Sequence, residues 1–386
     1  MGASNLFIIA GENSGDLHGS NLVRQLLELD PELRIHGFGG EQMKQAGVNL
    51  LANIVDRLAI IGFTGILRNA QRIFRLYRKA CAFFDEHRPD AVILIDYPGF
   101  NFKIMKAARK RGIPVIYYIM PQVWAWHRSR IYTLKEMTER LLVVFPFEKD
   151  LCESVGIKQV RYVGHPLLDV MNLTMTRREV FERFGFDPDK RLIGLLPGSR
   201  KSEIDRLLPT MLSAAERIQR ALPDVQFCIP RASTIKSELI EYYISAADVP
   251  VKVVDAFRYN VRSAMDFALV KSGTSTLETA ILDCPMVIIY KVSYLGWMIG
   301  KSVVKVPFIG LVNIIAGEMV VPELLQDEAT PMNIADRAVE ILSDPARMES
   351  IRFAMRAVKD KLGGPGASRR AAEEVLSAIK NSGIEK

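Results

Sequence analysis

The run Leu269–Glu278, LVKSGTSTLE, places hydroxyls and a glycine where an apolar strand turns into a helix. Free backbone N–H groups at such a helix start, with Ser272, Gly273, Thr274, Ser275 and Thr276 around them, form a seat for a diphosphate. With the helix expected from about Leu277, Glu278 falls in its first turn, where it can accept hydrogen bonds from ribose hydroxyls. An ordinary strand–helix turn with a Ser/Thr cap fits the same letters. Arg200, just past another strand in Leu196-Pro197-Gly198-Ser199-Arg200, offers a guanidinium fork suited to phosphate oxygens; a surface arginine beside a turn is the plainer reading. A hydroxyl nucleophile near pH 7 needs a base to take its proton. Asp96 ends the wholly apolar strand Ala91–Ile95, and a carboxylate at the C-terminal end of a parallel strand faces the ligand crevice. Partial desolvation there raises its pKa and strengthens it as a base, although an Asp capping the following loop fits equally. Glu12, Ser14 and Asp16 crowd the first loop, whose Gly11-x-x-x-Gly15 spacing departs from G-x-G-x-x-G and argues against NAD. Asp16 also reads as the N-cap of the next helix, and His18, one turn in, is as readily packed as reactive.

The elements that must hold these residues alternate. Strands are expected at Leu6–Ala10, Arg34–Phe38, Ala91–Ile95, Val115–Ile119, Leu141–Val144 and Val160–Val163, with helices at Asp16–Leu29 and Lys103–Arg111. The alternation restarts at Leu192–Leu196 and continues near Val225–Ile229, Val251–Val254, Phe267–Val270 and Met286–Tyr290. A polar stretch, about Asp169 to Asp189, separates the sets. The pattern is α/β: two doubly wound, Rossmann-like parallel sheets facing each other across a ligand cleft. The end, Asn333–Ile379, reads as helical, broken at Gly363-Gly364-Pro365-Gly366 before a last amphipathic helix, Ser368–Ile379.

A chain of 386 residues, 49% apolar and 25% charged, suits two ordinary globular domains. Its start, MGASNLFIIAGENSGD, lacks a basic n-region and carries too short an apolar run for a signal peptide. Four scattered cysteines match neither a disulfide framework nor a zinc pattern, so a reducing cytoplasm is expected. Arg57 to Arg111 carries 12 Lys/Arg against 4 Asp/Glu, more than the whole chain's net +7, which implies an acidic partner: nucleic acid, anionic lipid or a phosphorylated substrate. The single Asp-x-Asp triplet, Asp187-Pro188-Asp189, carries a proline and reads as a solvent-facing turn. The five histidines show no ligand spacing, so neither a metal nor another cofactor is expected.

Six segments fall in one order: GENSGD (Gly11–Asp16), DYPGFN (Asp96–Asn101), PQVWAW (Pro121–Trp126), GHPLLD (Gly164–Asp169), LLPGSRKSE (Leu195–Glu203) and SGTSTLE (Ser272–Glu278). Together they resemble the lipid-A-disaccharide synthases, glycosyltransferases of GT-B architecture, over nearly the whole chain and most thinly after about Pro331. The resemblance implies transfer, with inversion, of 2,3-diacylglucosamine from UDP to the 6-hydroxyl of 2,3-diacylglucosamine 1-phosphate, at the inner face of the cytoplasmic membrane. It assigns the base role to Asp96, beside which Glu12 and Ser14 of the first loop, with Asp16, are expected to orient the acceptor sugar or to assist that base. It seats the donor on Arg200 and the 272–278 turn, and adds donor contacts near Asn313–Glu318, where Asn313 is placed to reach uracil or phosphate. The domains then run 1–168 (acceptor and lipid), 169–345 (UDP-sugar) and 346–386 (helices packing back towards the first). Trp124 and Trp126 line an acyl or sugar surface, or pack as core.

A lipid substrate gives Leu58–Leu67, LAIIGFTGIL, a role as a greasy loop. In the helix that follows, Ala70, Ile73, Phe74, Tyr77, Cys81 and Phe84 share one face, opposite Arg68, Arg72, Arg75 and Lys79. Docking on anionic lipid fits this, as does a core-facing helix with a solvated basic side. Leu295–Ile315 reads as acyl surface, as core or as the contact of a homodimer. Competing functions are another GT-B enzyme (a UDP-N-acetylglucosamine 2-epimerase or the peptidoglycan-precursor transferase) and a basic nucleic-acid module. The basic segment lacks glycine-aromatic RNA-binding signatures, so nucleic acid is not expected as a partner.

Overall fold

A computed structural model describes residues 4–55, 66–294, 297–298 and 306–384. Most of Leu58–Leu67 and much of Leu295–Ile315 lie outside these residues. The chain divides into two compact units, Met1–Val170 with Leu362–Lys386, and Met171–Lys361.

The first unit holds a seven-stranded parallel sheet. Its strands are β1 (Asn5–Ala10), β2 (Arg34–Gly39), β3 (Asn49–Asn53), β4 (Ala91–Ile95), β5 (Val115–Tyr118), β6 (Arg140–Val143) and β7 (Val160–Tyr162), in the order β3-β2-β1-β4-β5-β6-β7. Strands β1 and β4 are buried on both faces, as unbroken apolar runs in a helix-covered sheet must be. The sequence order reverses between β1 and β4, which pair with Ala10 opposite Ile95. Glu12 and Asp96, just beyond those two ends, therefore flank the switch point of the sheet.

The second unit repeats the scheme with β8 (Arg191–Leu196), β9 (Val225–Pro230), β10 (Val251–Val254), β11 (Phe267–Lys271), β12 (Met286–Tyr290) and β13 (Glu323–Leu325), ordered β10-β9-β8-β11-β12-β13 and all parallel. Its reversal lies between β8 and β11, where Leu196 pairs with Val270. The turn that carries Arg200 and the turn that opens with Ser272 follow those two ends.

Helix limits shift several expectations. The first helix spans Asn13–Leu29, three residues ahead of Asp16, and the one after β4 spans Pro98–Arg109, with Pro98 in its first turn where a missing N–H costs nothing. Pro345–Asp360 belongs to the second unit, so of the two terminal helices only Ala367–Ile384 packs on the first, against Asn13–Leu29. The carboxylate of Asp169 caps that last helix, accepting from the amides of Gly366 at 2.6 Å and Ser368 at 2.7 Å.

In the helix Ile66–His87 the core face is Leu76, Ala80, Phe83 and Phe84. The face expected through Ala70, Phe74 and Cys81 is rotated from it by about a quarter turn or more: Phe74 is 59% exposed, and Tyr77 and Cys81 are half-buried. Phe83 and Phe84 meet Phe7 of β1 at 5.0 and 5.1 Å between ring centres, so packing against the sheet sets the rotation. Arg75 and Lys79 are exposed.

Candidate active site

Asp96 leaves β4 in a left-handed backbone conformation (φ +43°), and Tyr97 continues it (φ +45°). Each costs a non-glycine residue about 1–2 kcal/mol, so surrounding contacts must hold the turn. The Asp96 carbonyl oxygen accepts from the Tyr117 hydroxyl at 2.6 Å and from the buried Asn101 side-chain amide at 2.8 Å, and the same amide reaches the Ile95 carbonyl at 3.1 Å. Burial pushes the Asp96 carboxyl up to about 7, the Glu12 carboxylate adds to the rise, and a hydrogen bond from the Tyr97 backbone opposes it. A carboxylate poised near neutrality can take a proton from an alcohol. Glu12 and Ser14 are half-buried at the start of the first helix.

Asp16 has a different place. It is buried, and its two oxygens accept from the amides of Gly40 (2.7 Å), Gln42 (3.1 Å) and Met43 (3.2 Å). It caps the short helix Glu41–Gln45 rather than its own, so any acceptor contact would have to share its carboxylate with these amides. Trp124 is core: its indole N–H donates to Glu148 at 3.0 Å, while Trp126 is half-buried beneath Arg130. Glu148, almost fully buried, also accepts from the amides of Val144 and Phe145 at 3.2 Å. Burial raises its carboxyl to about 7, with the Asp96 charge among the causes that raise it. Sequence reasoning missed this second carboxylate; Phe145-Pro146-Phe147-Glu148, with an acid at the third helical position after β6, was its signal. His18 and His165 are both buried, and burial together with His18 holds His165 well below the ordinary imidazole value, which makes it a neutral packed side chain.

In the second unit the helix after β11 runs Thr274–Ile281, starting three residues earlier than expected, so Glu278 lies in its second turn. Thr274 is exposed and Ser275 half-buried. Thr276 is buried, its hydroxyl donating to the Gly273 carbonyl at 2.8 Å, and the Ser272 hydroxyl donates to Ile309 at 3.1 Å. Of the hydroxyls expected around a diphosphate, those of Thr274 and Ser275 therefore lie towards solvent. Glu278 is buried and ion-paired with Arg262, and accepts from the Tyr259 hydroxyl at 3.3 Å. Burial alone would raise its carboxyl; the Arg262 and then the Arg258 charges outweigh that and hold it below the usual range. Any ribose contact would have to share it with these partners.

Asn313 turns inward. Its side-chain N–H groups donate to Val321 and Glu323, both at 2.8 Å, and its oxygen accepts from the Val321 amide at 3.1 Å. Every polar atom of the amide is used within the unit, so it ties the helix Leu311–Ala316 to β13, and any nucleotide contact would have to compete with these bonds. Arg200 stands at the cap of the helix Lys201–Ala221, half-exposed, with Glu203 at 3.5 Å. Glu203 also accepts from the amides of Ser199 (2.9 Å) and Arg200 (3.2 Å), and Lys271 reaches it at 2.9 Å. Gly198 (φ +124°) is required here, since a Cβ would strike the Glu203 carboxylate at 2.3 Å. Neither Glu203 nor Lys271 is singled out by sequence, though Glu203 ends one of the diagnostic segments and Lys271 directly precedes another. Asp187 and Asp189 lie in an exposed turn that the Asp187 carboxylate closes on the Asp189 amide at 3.0 Å. Among the described residues no three His, Cys, Asp or Glu side chains group as a metal site would need.

Two parallel sheets, each with its polar candidates at the strand ends beside its order reversal, define an α/β chain of the GT-B glycosyltransferase and epimerase class. Solved structures agree on the fold: UDP-GlcNAc 2-epimerase from Neisseria meningitidis bound to UDP-GlcNAc matches at a TM-score of 0.64 and 14% identity, over 98% of this chain and 100% of that one. The calicheamicin glycosyltransferase CalG4 matches at 0.64 and 13%, over 98% and 99%. Sequence comparison goes further. The family model described as lipid-A-disaccharide synthetase matches residues 6–378, and the lipid-A-disaccharide synthase of Syntrophus aciditrophicus is 43% identical over 99% of this chain and 100% of that one. The chain belongs to the lipid-A-disaccharide synthase family of glycosyltransferases. The epimerases are relatives in fold alone.

Proposed function

We propose that the chain moves 2,3-diacylglucosamine from UDP to the 6-hydroxyl of 2,3-diacylglucosamine 1-phosphate, with inversion. Asp96 takes the hydroxyl proton as that oxygen bonds to C1 of the donor sugar. The C1–O bond to the diphosphate breaks on the opposite side, and its electron pair leaves with UDP. Glu12, close enough to raise Asp96, keeps the base near neutrality and with Ser14 orients the acceptor. In the second unit the amides opening Thr274–Ile281, the hydroxyls of Thr274 and Ser275 and the Arg200 guanidinium receive the diphosphate charge. These groups can do the work that other transferases give to a divalent metal.

The observation that carries the reading is Asp96, a strained, desolvated carboxylate at the switch point of a chain matched to this family from residue 6 to 378. Docking on anionic lipid at the inner membrane face belongs to the same proposal, supported by the basic segment Arg57–Arg111 and the exposed Phe74 among its arginines. No described helix is long and apolar enough to cross a membrane. The test is mass analysis of the products after mixing the protein with both diacylated substrates. A tetraacyl disaccharide 1-phosphate plus UDP is expected; epimerised or unchanged donor would refute the proposal.

A further inference from the structure

We propose that Lys271 is a second cation of the diphosphate seat, aimed there by Glu203. The inference rests on the nucleotide-sugar reading above. Strands β8 and β11 are neighbours in register, so the first residues past their ends lie side by side. Lys271 closes β11, and its ammonium meets Glu203 at 2.9 Å, while the same carboxylate lies 3.5 Å from the Arg200 guanidinium and binds the amides of Ser199 and Arg200. One half-buried acid thus gathers both cations and the loop between strand and helix. Burial pushes Glu203 up, and the Lys271 charge leads the effects that more than reverse this, so it stays ionised.

The lysine also lies close to the start of the following helix. Gly273 (φ +149°) opens the helix Thr274–Ile281, and a Cβ placed on it would lie 3.4 Å from the Lys271 ammonium. The ammonium therefore stands beside the peptide that starts the anion seat. A departing nucleoside diphosphate carries more than one negative charge, which a single guanidinium does not balance. Arg200 paired with Glu203 alone would sum to no charge, and Lys271 on the same carboxylate restores a net positive charge next to the helix start, where backbone amides and neutral hydroxyls supply the remaining donors.

The test is titration of the full-length chain with UDP by calorimetry and with uridine by ligand-observed NMR. Lys271→Gln is expected to weaken UDP about tenfold, as loss of one charge-assisted contact does, and to leave uridine within about twofold. Lys271→Arg is expected to recover most of the loss. Equal UDP affinity for wild type and Lys271→Gln would overturn the inference and leave the nucleotide-sugar reading standing. A parallel loss for UDP and uridine would make Lys271 a structural ion pair, which overturns it as well. A wild-type chain that binds neither ligand would overturn the nucleotide-sugar reading and this inference with it.

Discussion

The Tyr117 hydroxyl donates to the backbone carbonyl of Asp96 at 2.6 Å, across the β4–β5 pair that sets their register. Tyr117 is fully buried, and this bond holds the carbonyl of a residue whose left-handed backbone would otherwise relax. Tyr117→Phe should therefore lower kcat several-fold with KM little changed, and cost about 1 kcal/mol of stability, because Asn101 still satisfies that carbonyl. Steady-state kinetics and urea unfolding check both; a mutant that loses the stability but not kcat would separate the turn geometry from catalysis.

Why such a turn escapes a sequence reading is instructive. Ala91–Ile95 is legible as a buried strand because all five residues are apolar, and Asp96 as its end. Strand Asn49–Asn53 is not: it is a half-exposed edge strand with asparagine at both ends, formed because β2 offers it a partner. Asp16 reads locally as a cap, and the helix it caps begins 25 residues on, where only the fold brings the amides of Gly40 and Met43. Asn313 likewise finds its partners at Val321 and Glu323 through the packing of β13, a three-residue strand too short to announce itself. The resemblance located the segments; which side chains within them stay open to a ligand was decided by tertiary contacts.

Asn313 gives a prediction opposite to a binding role. Asn313→Ala takes one partner from the half-buried Glu323 side chain and leaves the buried Val321 backbone short of partners, which should cost about 2–3 kcal/mol of stability. The folded fraction should bind UDP like wild type. Calorimetric affinity measured below the unfolding transition checks this, and a stable protein with lost UDP affinity would restore Asn313 to the donor site.

Asp96 and Arg200 should separate cleanly. Asp96→Ala removes the base and is expected to abolish transfer, by at least about a hundredfold, while UDP binding survives. Arg200→Ala should weaken UDP binding and transfer together, about tenfold or more. Turnover by Asp96→Ala at the wild-type rate would end the base assignment.

The raised carboxyl of Asp96 also predicts a stability signature. The folded chain keeps this proton up to about pH 7, whereas the unfolded chain releases it near its ordinary value of 3.8. Between about pH 4 and 7 the native state therefore binds more protons, and this group costs stability as pH rises. Asp96→Asn, which never ionises, should unfold at a higher temperature than wild type at pH 8, with the gain fading towards pH 4. Scanning calorimetry across that range checks the sign; a gain that grows at low pH would mean that Asp96 is ionised and stabilising in the fold.

Glu148 supplies the last prediction, because the Asp96 charge helps to raise this buried carboxyl and such a coupling acts in both directions. Ionised Glu148 disfavours ionised Asp96, so removing its charge should make the base easier to deprotonate. In Glu148→Gln the acid limb of kcat/KM should move to lower pH, and below pH 7 the variant should lose less activity on acidification than wild type. The substitution also disturbs three hydrogen bonds, to Trp124, Val144 and Phe145, so some loss of stability accompanies it. Trp124→Phe serves as the control, since it deletes the indole donor and keeps the Glu148 carboxylate. A limb that shifts in Glu148→Gln and not in Trp124→Phe marks an electrostatic link to the base. Equal shifts in both would show that packing of the Trp124 loop, and not the charge on Glu148, sets the proton affinity of Asp96.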